Sequence, residues 1–119
     1  MPAPAAAAAH EAPMDPSDRV EYINRFGALL EDGEQIATAT VTLYPEAVAL
    51  GFTILTSAEF GPSILNNDSI LIWVEVAENM RADPAFVAGV RMPIEFGITT
   101  NSSPARRFQR TATITVVHL

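Results

Sequence analysis

Few side chains in this 119-residue chain are of the kinds that do chemistry, and their spacing decides how far each can be taken. There are two histidines and no cysteine. His10 and His118 alone can act as bases near neutral pH or offer imidazole to a metal, and both lie in terminal segments. A general base needs a fixed geometry that a frayed terminus does not provide, so neither is assigned a catalytic or metal role. Glu31, Asp32 and Glu34 form an acidic cluster that would suit a cation. An EF-hand loop, however, needs oxygen ligands at alternating positions over about twelve residues and closes with Glu. That spacing is absent, and a solvated turn is the expected reading. Asn66-Asn67-Asp68 suggests a weak calcium loop, yet Asn and Asp favour turns for local backbone hydrogen bonds alone. Ser102-Ser103 lacks the G-x-S-x-G context of a serine nucleophile. No G-x-x-x-x-G-K-[ST] or G-x-G-x-x-G phosphate loop occurs. The residues therefore predict no enzyme, no cofactor and no metal site.

What remains is the chemistry of contact. Arg106, Arg107 and Arg110 make a basic spot in an acidic chain. It is too small for a nucleic-acid site and lacks interleaved stacking aromatics. Arginine is enriched at interfaces and makes forked bonds to carboxylates, so these three are the preferred contacts to an acidic neighbour. The competing reading is a wet strand end with weak surface ion pairs. Trp73, the sole tryptophan, is either a core anchor or an interface hot spot. Pro2 and Pro4 belong to an opening segment that would be a disordered tail in a monomer and would order by docking on a neighbour in an assembly.

Composition sets the frame for these contacts. At 119 residues and 49% hydrophobic, the chain makes one domain that buries roughly two-thirds of its unfolded surface. A net charge of −7 and a pI near 4.6 argue against phosphate-backbone binding. The same balance favours solubility and a discriminating, cationic partner surface. Without cysteine there is no disulfide framework and no thiolate zinc site, so packing must hold the fold. All seven basic residues are Arg, which reads as a codon bias. No apolar run approaches the ~20 residues of a membrane helix. The start lacks the basic region of a secretory signal, so the protein is expected to stay in the cell that makes it or in a particle built there.

Periodicity then supplies the elements. Residues 1–14, MPAPAAAAAHEAPM, are set apart by proline and a run of five alanines, and read as an extended arm before a domain over 15–119. Arg19 to Leu30 suits a helix and an irregular strand almost equally. Gln35 to Tyr44 alternates threonine with apolar residues and predicts a strand. Val48, Leu50, Phe52 and Ile54 predict another. Ser57 to Asn67 is broken by turn residues. Ser69 to Val76 is apolar on both faces, as expected of a central strand or one covered by a partner. Asn79 to Ala88 reads as a long loop with room for one helical turn. Val90 to Val116 is a hairpin: Val90, Met92, Ile94, Phe96 and Ile98 face Phe108, Ala112, Ile114 and Val116 across a polar turn. About seven strands at this spacing predict an all-β sandwich. No repeat of 20 to 50 residues is present.

With these elements placed, the chain resembles a family of small tailed-bacteriophage proteins, the fiber-tail adaptor proteins. That family opens with a D-P-x-[DE]-V-L-D-Y segment, and Asp15-Pro16-Ser17-Asp18-Arg19-Val20-Glu21-Tyr22 is similar. Its leucine, D-G-D-x-I turn and Thr/Ser-rich strand are resembled by Leu30-Glu31-Asp32-Gly33-Glu34-Gln35-Ile36 and the strand to Val41. Its closing R-I-T-T-x-x-G-R-x-[DE]-x-R-S-x-x-I-x-V hairpin is resembled by Glu95 to Val116, with a lengthened turn. Two features depart from it: Trp73-Val74-Glu75-Val76 and a longer loop replace a W-L-S-G-G-T-A-G-x-x-Y middle, and the Ala-rich arm is additional.

The resemblance implies an immunoglobulin-like sandwich and a non-enzymatic virion protein, assembled in the host cytoplasm, that joins tail or connector to fibres. Its implied partners are other virion proteins and further copies of itself in a symmetric homo-oligomer, with no nucleic acid and no membrane. The nearest alternative is a capsid decoration protein bound to the major capsid protein. A ligand-binding β domain would need an aromatic-lined cleft, and most of the six Phe, two Tyr and one Trp fall at expected core positions.

Overall fold

The structure, a computed structural model, describes residues 8–9 and 12–119. Its strands in chain order are β1 (Ala8–Ala9), β2 (Arg19–Arg25), β3 (Ile36–Leu43), β4 (Phe52–Ile54), β5 (Ser63–Leu65), β6 (Ser69–Val76), β7 (Val90–Thr100) and β8 (Arg107–Val116). Two short helices, α1 (Pro45–Ala49) and α2 (Ala85–Ala88), sit between them. β8, β7 and β3 form one antiparallel sheet, with β1 added in parallel on the far side of β8. In the second sheet β6 is central, with β2 on one side and β4 and β5 on the other. The inner faces of the two sheets share one apolar core, so the chain is an all-β sandwich.

Alternation explains which side chains meet there. Met92, Ile94 and Phe96 of β7, Ile114 and Val116 of β8 and Ile70, Ile72, Val74 and Val76 of β6 are all fully buried. Each contributes about 1.5–3 kcal/mol by leaving water. The outward residues of β6, Leu71, Trp73 and Glu75, are half-buried. On that outer side Trp73 meets the Phe60 ring of the loop after β4, which accounts for a run apolar on both faces.

In three places the structure departs from simple periodicity. The strand expected over Val48 to Ile54 begins only at Phe52, because α1 occupies the residues before it. Pro45 starts that helix with a preset φ, and Gly51, at φ 83°, turns the chain out of it. Ala47 then faces the core while Val48 is 57% exposed. The loop expected over Asn79 to Ala88 holds a 3-10 turn, Glu78–Met80, and α2, whose Phe86 is buried. Arg19 to Leu30 resolves into β2 followed by a 3-10 turn at Gly27–Leu29.

Ala8, Ala9 and Met14 lie as a strap along β8. Ala8 and Ala9 stand in register with Ala112 and Thr113. Met14 continues the line: its N–H donates to the Thr115 carbonyl and its own carbonyl accepts from Val117, both at 3.0 Å. At 1% exposure Met14 is part of the core, although it closes the segment set apart by composition. The Tyr22 hydroxyl donates to the Ala12 carbonyl at 2.9 Å and ties the strap to β2 of the opposite sheet. Pro2, Pro4 and His10 lie outside the described residues.

Candidate functional site

The turn before β3 and the turn between β7 and β8 meet at one end of the sandwich. Gly33, at φ 77°, lets the chain double back so that the Glu34 N–H reaches the Glu31 carbonyl at 2.9 Å. Gln35 and Asn101 then exchange two bonds: the Gln35 N–H donates to Asn101 Oδ1 at 2.8 Å, and the Asn101 N–H donates to the Gln35 carbonyl at 3.0 Å. Beside this clasp lies the Glu34 carboxylate, its side chain only 4% exposed. Arg106 grips it from both sides, Nε donating to Oε2 at 3.0 Å and Nη2 to Oε1. The Ser102 hydroxyl donates to Oε2 at 2.9 Å, and the Glu31 N–H donates to Oε1 at 3.0 Å.

A forked pair of this kind is among the stronger hydrogen-bonding arrangements. The Arg106 guanidinium, helped by the Glu31 N–H and the Thr100 and Ser102 hydroxyls, holds the Glu34 carboxyl well below the ordinary carboxylate range. In return Glu34 raises Arg106 further. Two further bonds tie Arg106 to the chain. Nη2 donates to the Leu29 carbonyl at 2.8 Å, and the backbone N–H donates to Thr100 Oγ1 at 3.0 Å. The acidic neighbour of Arg106 is thus Glu34, with Glu31 at 3.7 Å from Nη1.

The three arginines do not form one patch. Alternation along the strand puts Arg106, Phe108 and Arg110 on one side and Arg107 on the other. Arg106 and Arg110 lie against the Phe108 ring at 4.9 and 5.7 Å from its centre. Arg107, exposed, stands in register with Thr99, which in turn faces Thr38. This outer face carries Thr38, Thr40, Thr42, Thr99, Thr111 and Gln109, with Gly97 between Thr40 and Gln109 and Glu95 between Thr42 and Thr111. A shallow depression of about 460 Å³ lies over Gly97. A Cβ there would come within 2.7 Å of Thr40 Oγ1, so any larger residue would have to turn that threonine aside. The Tyr44 hydroxyl, 3.1 Å from Thr111 Oγ1, marks the other end of the face. The hydroxyls of this surface and the exposed Arg107 guanidinium can hydrogen-bond a partner, with the Glu95 carboxylate farther along the same face.

The other singled-out residues are dispersed. Trp73 is half-buried on the outer side of β6, edge-on to Phe60 with ring centres 5.1 Å apart, and Arg19 lies over Phe60. It therefore anchors the loop after β4 onto the sheet. The His118 ring is edge-on to Phe86, and the His118 backbone N–H donates to the Phe86 carbonyl at 2.9 Å. Asn66 and Asn67 adopt φ of 51° and 61° in the turn between β5 and β6, where the Asn67 carbonyl accepts from Ile36. Among the described residues no three His, Cys, Asp or Glu side chains are grouped to hold a metal, and no helix is long and apolar enough to cross a membrane.

The pairing of Glu34 with Arg106 was not legible in the sequence, because 72 positions separate them. The stacking of Arg106, Phe108 and Arg110 had a signal, the spacing of two along a strand. No protein-family model, no curated protein and no solved structure matches this chain.

Proposed function

We propose that the protein is a non-enzymatic structural subunit of a tailed-bacteriophage virion, an adaptor that joins tail or connector to fibres by protein contacts. The observation that carries the reading is the meeting of the two segments that resemble that family. The Leu30 to Ile36 turn and the Glu95 to Val116 hairpin are far apart in sequence, yet Glu34 with Arg106 and Gln35 with Asn101 lock them into one rigid end. Loops cross-linked to each other within the chain suit a subunit whose task is to hold a geometry, because little ordering entropy is then lost on assembly. In this reading the immunoglobulin-like description applies to the sandwich, and Arg107, Arg110 and the threonine face receive the neighbouring subunits.

Quantitative mass spectrometry of purified particles tests this. A closed ring at the tail gives a copy number of about six or twelve. Abundance near that of the major capsid protein would replace the adaptor with a capsid decoration protein, and absence from the particle would end both readings.

A further inference from the structure

The open edge of β3 differs from the other long edge of the sandwich. β2 carries Arg19, Glu21 and Arg25, charges of the kind that discourage a foreign strand. β3 reads Ile-Ala-Thr-Ala-Thr-Val-Thr-Leu and has neither charge nor proline. Its single irregularity is the register shift between Ile36 and Thr38. Among the described residues β3 pairs with β7 on one side only. The Tyr44 N–H donates to the Pro93 carbonyl at 3.3 Å. In an antiparallel ladder the direction of the backbone groups alternates, so Thr42 and Thr40, opposite Glu95 and Gly97, also turn theirs to β7. Ala39 and Val41 turn theirs outward, where no described residue meets them. Their side chains, with Leu43, are only half-buried at the lip of the core.

We propose that this edge is a self-association surface, on which β3 of a second copy of this chain pairs antiparallel about a two-fold axis at Thr40. The occupant follows from symmetry and charge. Around that axis Ala39 faces Val41 of the other copy and Val41 faces Ala39, so outward-turned groups meet outward-turned groups and each pair exchanges both bonds. Two chains of net charge −7 repel. An uncharged edge lets them approach with the least opposition. The pairing continues the sheet through both copies and covers the half-exposed Ala39, Val41 and Leu43. It does not rest on the adaptor reading, since it belongs to the isolated chain.

Thr40 of the two copies would form a wide pair with Cα atoms about 4.5 Å apart, within disulfide reach. The chain has no cysteine, so Thr40→Cys introduces the only thiol. The purified protein is expected to sediment as a concentration-dependent dimer. Thr40→Cys should cross-link to itself under mild oxidation faster than Thr38→Cys, Thr42→Cys or the distant Ser57→Cys. Thr40→Glu, an exposed substitution that sets like charges opposite each other, should give a folded monomer by circular dichroism and sedimentation. A wild-type monomer at the highest soluble concentration would overturn the proposal. So would a dimer that survives Thr40→Glu while Thr40→Cys links no better than Ser57→Cys. Neither result bears on the copy number in particles.

Discussion

The two halves of β8 share one alternating pattern and one hydrogen-bonded partner, β7, yet they end in opposite conditions. From Ala112 to Val116 the strand is sealed: Ala112, Thr113, Ile114 and Val116 are buried, and the strap of β1 and Met14 lies along its edge. From Arg107 to Arg110 it is open, with Arg107, Gln109 and Arg110 exposed. The difference lies in what each half has across from it. The sealed half has a second sheet and a strap, whereas the open half has Phe108 between two arginines and, beside it, the Glu34 and Arg106 latch. One half is built for the fold, and the other is held rigid at the surface by polar contacts.

Substitutions in the two halves should therefore separate. The largest effect is expected at the strap: Met14→Ala removes a side chain at 1% exposure and should cost about 2–5 kcal/mol in urea unfolding. A loss within the experimental error would show that the strap merely lies on β8. A smaller, pH-dependent effect is expected at the latch. The Glu34 carboxyl is held below its ordinary value near 4.5. Its contribution is thus complete above that pH and fades as the pH falls toward the depressed folded value. Glu34→Gln should lower the melting temperature at neutral pH and flatten the loss of stability below about pH 4.5. Parallel pH profiles for the two proteins would show that the latch acts through shape alone. The smallest effect on stability is expected at Arg107, whose replacement by Ala should leave the unfolding midpoint within about 0.5 kcal/mol of wild type. In the adaptor reading, the same change weakens incorporation into particles. Equal incorporation would move the contact away from this face.

Much of the sandwich was legible because a buried strand writes its burial at every second position. The β7 and β8 hairpin, the β3 strand and the two-faced β6 were all readable in that way. At Val48 and Leu50 the same period misled. Pro45 and Gly51, which start and stop α1, were the competing signals, and a helix of five residues is too short to show a period of its own. Met14 was obscured by its company, since one apolar residue after an Ala/Pro-rich stretch has no pattern to announce it.

The sequence by itself determined β3, β6, β7 and β8, their inward faces and the absence of cysteine chemistry, because these depend on neighbours in the chain. Only the tertiary structure decided that Arg106 is committed to Glu34 while Arg107 is exposed, and that among the described residues β3 has an open edge while β8 is strapped. Those are facts of proximity between distant segments. They arise when two sheets close on one core and bring 72-residue separations down to hydrogen-bond length.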